Sequence, residues 1–208
     1  MSVSGTIYAA CYDRLTAGTE KAGLAALRAS LVARASGRVL EIGAGTGSNL
    51  RHYGDAVDSL VAAEPEAAMT RRLERKAREL GVELQVVQTP AETLPFRDAS
   101  FDVAVSTLVL CTVDDQLTAL AELRRVLVPG GRLLFLEHVR SDERRVARWQ
   151  DRLNGVNRVI GAGCNCNRST LETIRAAGFR IVEVEQDRLP KAPPFLRPLV
   201  VGVAESPS

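Results

Sequence analysis

A glycine-rich turn after a short apolar run is the clearest chemical signal in the chain. Val39-Leu40-Glu41-Ile42 leads into Gly43-Ala44-Gly45-Thr46-Gly47, with a glycine at every second position. Glycine has no Cβ and reaches positive φ without strain, so this turn lets the backbone come close to a bound ligand. A dinucleotide fingerprint would have its third glycine at position 48, where this chain has Ser48. The spacing therefore disfavours an NAD-dependent reductase.

The turn, with Glu41 two residues before it, resembles the first motif of the class I S-adenosylmethionine (SAM) methyltransferases. SAM carries a sulfonium cation, an amino-acid tail, ribose hydroxyls and an adenine. The resemblance implies that Gly43, Ala44, Gly45, Thr46 and Gly47 contact the methionine part of the cofactor. Glu41 then orders the turn or meets the ammonium group of the tail. A plain strand-to-helix turn is the alternative.

An acid ends the second predicted strand. Glu64 lies about 20 residues after the first glycine, and Pro65 follows it. Ligands of open α/β sheets sit beyond the carboxyl ends of the strands, where a carboxylate reaches ribose hydroxyls through bonds of about 1.5–3 kcal/mol each. We expect Glu64 and Pro65 to contact the ribose, with a solvated glutamate as the alternative.

Residues 90–102 contain a second recognisable pattern. The sequence A-E-x-L-P-F followed by S-F-D resembles the adenine-side motif of the ubiquinone and menaquinone C-methyltransferases. The resemblance implies that Ala91 and Glu92 cover the adenine ring. Leu94 and Phe96 are expected in the core, and Asp102 is expected to order the loop.

Two further pairs of residues are predicted to contact the cofactor. Ser106 and Thr107 end the fourth predicted strand and are assigned to the cofactor site. Tyr8 and Tyr12 lie four residues apart on a predicted N-terminal helix. They either close over the cofactor tail or pack the helix onto the sheet.

Four shorter segments narrow the resemblance. S-T-L-V-L-C-x-V (106–113), R-x-V-L-x-P-G-G (124–131), L-E-H-V (136–139) and G-C-N-x-N-R (163–168) look like the mammalian methyltransferase-like proteins that methylate alkyl thiols. The resemblance extends over about residues 38–204. Two departures are Cys166, where an apolar residue is expected, and the lack of the mammalian N-terminal membrane anchor, which favours a soluble, cytoplasmic enzyme. We assign the acceptor site to Leu108, Cys111, Trp149, Cys164 and Asn165.

Few side chains could take a proton from the acceptor. His138 is a candidate general base, with a core or capping histidine as the alternative. Asp114, beside the fourth strand, is a second candidate, whereas His52 is expected at the surface. Cys164-Asn165-Cys166 lacks the matching Cys or His pair of a zinc site, so no metal is predicted.

Composition and charge limit the classes of protein and partner that the chain can have. The chain has 208 residues, a net charge of +2 and four cysteines, which we expect to be reduced. Neither a signal peptide nor a membrane span is predicted. The basic runs at 71–78 and 144–152 are expected to be solvated helix faces, with an anionic membrane or acidic substrate as the alternative. A nucleic-acid partner is disfavoured.

Strand and helix signals alternate along the chain. Strands are predicted at 38–42, 59–63, 83–88, 101–106, 132–137, 179–186 and 199–204, and helices at 6–34, 46–53, 66–80, 114–127, 142–159 and 169–177. This pattern predicts one α/β domain over 1–208 with a helical lid (1–34) and a Rossmann-like core (38–204). The resemblance implies a seven-stranded, mostly parallel sheet with an antiparallel last strand and helices on both faces.

The functional hypothesis is a SAM-dependent methyltransferase that forms S-adenosyl-L-homocysteine and methylates a small molecule, above all a thiol. C-, O- or phospholipid N-methylation is the alternative within the same fold. A SAM-binding module without transfer activity is the alternative from another class.

Overall fold

The computed structural model describes residues 16–161 and 163–207. Its seven strands form one sheet in the order β3-β2-β1-β4-β5-β7-β6. The strands are β1 Gly37–Ile42, β2 Val57–Ala63, β3 Gln85–Val87, β4 Phe101–Thr107, β5 Leu127–His138, β6 Arg180–Arg188 and β7 Pro198–Glu205. Only β7 is antiparallel to its neighbours. The predicted mostly parallel sheet is therefore confirmed.

Helices cover both faces of the sheet. They are α1 Ala25–Val32, α2 Ala67–Leu80, α3 Gln116–Val126, α4 Arg144–Ile160 and α5 Thr170–Ala176, with a π-helical segment at Glu20–Leu24 directly before α1. Alternate residues of β1 point to opposite faces. Leu40 packs in a core with α3 and α5, whereas Val39 packs in a core with α1 and α2. Of the predicted lid, residues 1–15 lie outside the described part, and with them Tyr8 and Tyr12.

The helix predicted to start at Thr46 is wrong. The chain instead makes consecutive turns and a short 3₁₀ segment at Leu50–His52. Gly47 has a φ of 81°, which interrupts a right-handed helix. The amide of Asn49 bonds to side chains of the sheet. The irregular turn thus brings Asn49 into the site.

Helix ends follow the sequence signals in part. Asp115 caps α3, where its side chain accepts a bond of 2.9 Å from the Leu117 N–H. Gly81 ends α2 in the left-handed conformation at φ 67°. Ser169 precedes α5 without a side-chain cap, because its side chain makes no cap bond and its carbonyl accepts the Glu172 N–H.

Candidate functional site

A narrow cleft opens at the carboxyl ends of β1 and β4. It is lined by Arg28, Glu41, Gly43, Ala44, Gly45, Thr46, Ser48 and Thr107. A Cβ on Gly45 would meet nothing closer than the Gly43 carbonyl at 3.9 Å, so Gly45 lies against open space. A Cβ on Gly47 would lie 2.8 Å from Leu50 Cδ1, so Gly47 serves internal packing. The predicted turn residues therefore come together, and Gly45 is the one whose backbone lies against open space.

Glu64 stands beside this turn at the end of β2. Its Oε2 accepts the Gly45 N–H at 2.8 Å and its Oε1 accepts the Glu66 N–H at 3.0 Å. Burial raises the pKa of the Glu64 carboxyl, and these two backbone bonds oppose the shift. A carboxylate has about four lone-pair sites, so two bonds leave it able to accept ribose hydroxyls. Pro65, next to it, is exposed.

Glu41 is fully buried, and its hydrogen bonds fix the residues that follow the glycine turn. It accepts bonds from the Asn49 amide at 2.8 Å and the Tyr53 hydroxyl at 2.7 Å. Desolvation raises the pKa of Glu41 to about 7, although both hydrogen bonds and the charge of Arg28 oppose this. Of its two predicted roles, ordering the turn matches these bonds. Contact with an ammonium group stays a prediction.

Arg28 of α1 is a residue that the sequence reasoning missed. It is only 4% exposed. Its Nη1 donates to Thr107 Oγ1 at 2.7 Å and to Asn49 Oδ1 at 3.2 Å, and its Nε donates to Glu20 at 3.0 Å. Its position in the helix could have revealed it, because Arg28 lies four residues after Leu24 and therefore on the same helical face. A buried guanidinium beside a glycine turn provides a counter-charge for a ligand carboxylate.

The loop after β3 is held mainly by long-range bonds. Glu92 accepts the backbone N–H of Asp114 at 2.8 Å, and Arg125 donates to the carbonyls of Leu94 and Phe96. Ala91 and Leu94 are buried. Asp102, which was expected to order this loop, instead binds the backbone and side chain of Arg38 at the start of β1. That expectation is wrong, because the Asp102 side chain at the start of β4 binds β1 rather than the loop.

A third buried carboxyl group, that of Glu137 of β5, organises the loop after β4. Its Oε1 accepts the Ser106 hydroxyl at 2.7 Å and the Val109 N–H at 3.0 Å, and its Oε2 accepts the Cys111 N–H at 3.2 Å. Leu108 has a φ of 62°, so the loop turns sharply at that residue. The predicted cofactor residue Ser106 therefore directs its hydroxyl at Glu137. The sequence reasoning did not assign Glu137, although it noted the L-E-H-V segment.

The predicted acceptor residues fall into two groups. Cys111 is fully buried and accepts from Cys164 Sγ at 3.7 Å, and the Asn165 N–H donates to the Cys111 carbonyl at 2.7 Å. The contact with the Cys164 sulfur, followed by burial, raises the pKa of the Cys111 thiol. These three residues are therefore connected to one another, whereas Leu108 is half-buried and packs against the core on the α1 and α2 face. Trp149 does not join them, because it projects from α4 and is 51% exposed.

The two candidate bases differ in their surroundings. His138 is only 6% exposed, and Nδ1 has no hydrogen-bond partner in the described part of the chain. Desolvation lowers the pKa of His138 to about 4, although a bond to the Pro198 backbone opposes the shift, so the ring is neutral at pH 7. The side chain of Asp114 is exposed. Neither residue lines the glycine cleft, and both roles stay predictions.

Two kinds of feature are absent from residues 16–161 and 163–207. There is no group of three or more His, Cys, Asp or Glu side chains placed to hold a metal ion. No helix in these ranges has the length and apolar character needed to cross a membrane.

The strand order and the glycine cleft define a Rossmann-like protein of the methyltransferase class. A family model described as "Methyltransferase domain" matches residues 40–135. The chain is 36% identical to human thiol S-methyltransferase TMT1B over 174 residues, which are 81% of this chain and 69% of that protein. The chain therefore belongs to the SAM-dependent methyltransferase family. It spans 64% of the rat TMT1B protein and 69% of the human one, about two thirds of their length.

Two other similar proteins carry names that refer to other methyl acceptors. The chain is 35% identical to the ubiquinone/menaquinone biosynthesis C-methyltransferase UbiE of Pseudomonas syringae over 123 residues, 57% of this chain and 48% of that protein. A crystal structure of a Thermotoga maritima SAM-dependent methyltransferase, described as a possible histamine N-methyltransferase, superposes with a TM-score of 0.70 and 26% identity, covering 97% of each chain. The relatives thus include proteins named for different acceptor atoms.

Proposed function

We propose that this protein transfers the methyl group of SAM to a small-molecule acceptor, above all a thiol, and releases S-adenosyl-L-homocysteine. The observation that carries the proposal is the cleft lined by Arg28 and Gly45, with the Glu64 carboxylate bonded to the Gly45 N–H. Bound SAM supplies an electrophilic methyl group on a sulfonium, which is a good leaving group. The protein's own task is then alignment and exclusion of water.

The cleft residues fit the separate parts of this cofactor. The open backbone at Gly45 accommodates close approach, and the spare lone pairs of Glu64 suit ribose hydroxyls. Arg28 and Glu41 both line the cleft, and their guanidinium and carboxyl groups suit the carboxylate and the ammonium group of the amino-acid tail. Ala91 and Glu92 are proposed to border the adenine.

The residues on the acceptor side favour a methyl acceptor that ionises without a strong general base. His138 at a pKa of about 4 is a weak base. An ordinary thiol, with a pKa of about 8.5, is a few per cent thiolate at neutral pH, and the thiolate is the nucleophile. A phenol or an acidic carbon needs a stronger base than the described residues offer. The similarity to thiol S-methyltransferases over most of the chain supports the same choice.

The test is product identification with methyl-labelled SAM and a panel of thiols, phenols, quinols and lipid amines. Label on a thiol, lost in Glu64→Ala, supports the proposal. Label only on oxygen, carbon or nitrogen removes the thiol assignment. SAM binding with no product across the panel favours a binding module.

A second candidate is C-methylation of a quinol-type ring. The A-E-x-L-P-F…S-F-D segment and the similarity to UbiE favour it. Label on ring carbon of a quinol, with none on thiols, is the outcome that selects it.

A cytoplasmic setting is also proposed. Cys111, Cys164 and Cys166 are free thiols, and two of them touch without a bond between them, as in a reducing compartment.

A further inference from the structure

The outward side of α4 carries an unusual combination of side chains. Arg145, Trp149, Arg152, Val156 and Val159 follow a spacing of four and three residues, which places them on one helical face. We call these five residues the α4 face. Trp149 is 51% exposed, Val156 59% and Val159 84%. Large apolar side chains that are this exposed usually occur singly on a protein surface, whereas three of them lie together on the α4 face.

The opposite side of the helix fixes this orientation. Gln150 donates to the Cys166 carbonyl at 2.8 Å, Asn157 donates to the Cys164 carbonyl at 2.7 Å, and Asn154 donates to Asn165 Oδ1 at 3.0 Å. These amides attach α4 to the segment that carries the acceptor candidates. The α4 face is therefore held outward by polar bonds on the other side.

Positive charge is concentrated on the same helix. It contains Arg144, Arg145, Arg148, Arg152 and Arg158 against a single acid, Asp151. The Asp151 carboxylate is already engaged by Arg140 and Asn167. Since the whole chain has a net charge of only +2, the helix is more positive than the rest of the protein.

We propose that the α4 face lies on an anionic lipid bilayer. Trp149, Val156 and Val159 enter the interface between head groups and acyl chains, where an aromatic ring with an N–H is well accommodated. Arg145, Arg148 and Arg152 lie beside the lipid phosphates, with their aliphatic stems over the apolar layer.

A second copy of this chain fits the α4 face less well. The spacing of four and three is that of a helix-pair seam. Arg152 is the central residue of the five, so it would face its own copy in an in-register pair of either direction. Burying two guanidinium groups against each other is unfavourable, whereas a layer of phosphates neutralises both.

The single tryptophan makes the proposal directly measurable. Trp149 is the only one in the chain, so all tryptophan emission comes from the α4 face. The full chain is mixed with vesicles of phosphatidylcholine containing about 30% phosphatidylserine, or of phosphatidylcholine alone. We expect sedimentation with the anionic vesicles, a blue shift of the emission, and quenching by brominated acyl chains. Binding without a blue shift or quenching overturns the proposal.

Charge-matched variants separate this face from general basicity. Arg145→Glu/Arg152→Glu should lower the partition coefficient at least tenfold, and Val156→Ser/Val159→Ser should lower it several-fold. The control is Arg71→Glu/Arg78→Glu, which makes the same charge change on the exposed side of α2. An equal loss in the control means unspecific attraction and overturns the proposal. So does self-association that Val156→Ser/Val159→Ser abolishes, with no vesicle binding.

Discussion

Val109 occupies the space that a side chain on Gly43 would need. A Cβ on Gly43 would lie 2.5 Å from Val109 Cγ2 and 2.7 Å from Cγ1, and Gly43 has a φ of 54°. Gly43 begins the cofactor turn, whereas Val109 belongs to the loop after β4 that Glu137 holds. The proposed cofactor and acceptor sides of the site are therefore in van der Waals contact.

Gly43→Ala should destabilise the protein through both strain and overpacking. Overpacking costs about 1–3 kcal/mol, and the left-handed backbone adds about 1–2 kcal/mol for a residue with a Cβ. Val109→Ala in the Gly43→Ala background should recover the overpacking part. A double-mutant cycle in urea unfolding measures this coupling. Gly54→Ala is the control, since a Cβ there has no neighbour within 4 Å; strictly additive effects at 43 and 109 contradict the contact.

Glu64→Gln should weaken SAM binding by about 10- to 100-fold, because a charged acceptor becomes a neutral amide. Calorimetric titration with SAM gives the dissociation constant. Glu66→Gln is a matched control two residues away on an exposed side chain, and it should change the constant less than twofold. Equal losses in the two variants would remove Glu64 from the ribose contact.

Glu41 should make stability depend on pH. Its pKa is raised from 4.5 to about 7 in the folded state, so the folded protein holds a proton that the unfolded chain has released. The free energy of unfolding therefore falls as the pH rises from about 4.5 to 7, by up to roughly 3 kcal/mol, and is flat above. Unfolding of Glu41→Gln across this range should lack that decline. Parallel curves for the two proteins would contradict the buried ionisation.

Glu137→Gln should impair turnover more than cofactor binding. The amide keeps the shape, but its NH₂ group faces donors, so bonds to the loop are lost at one oxygen position. We expect kcat to fall about 10-fold or more while the SAM dissociation constant changes less than threefold. Ser106→Ala, which removes only one donor, serves as the milder comparison. Loss of SAM binding in proportion to kcat would show a general structural role instead.

His138→Gln should cost little activity on a thiol. At a pKa of about 4 the ring does not titrate between pH 5 and 8, so kcat/KM should rise with ionisation of the acceptor. A general base contributes about 10²–10⁴-fold. A loss of that size, with rescue by added imidazole, would establish the base role that the sequence suggested.

The sequence was sufficient for features that local pattern determines. The strands, the glycine turn and Glu64 follow from apolar runs, spacing and the rule that ligands meet strand ends. Arg28, Asn49 and Glu137 were not assigned because their partners are distant. Arg28 binds Thr107, which is 79 positions away in the chain. No local periodicity distinguishes such an arginine from a solvated one. The prediction of a helix from Thr46 was wrong for a related reason, because the Asn49 amide donates to Glu41 and Thr107 of the sheet.

The bonds of Glu137 reach mostly backbone N–H groups, which every residue except proline provides. The hydrogen bonds that hold the loop after β4 are therefore largely independent of which side chains it carries. Relatives on this scaffold can exchange those side chains, and with them the molecule that is recognised, while keeping the loop in place. For an engineer, Leu108 and Cys111, the proposed acceptor residues of this loop, are the positions to randomise first, with Val109, Glu137 and Gly43 left untouched.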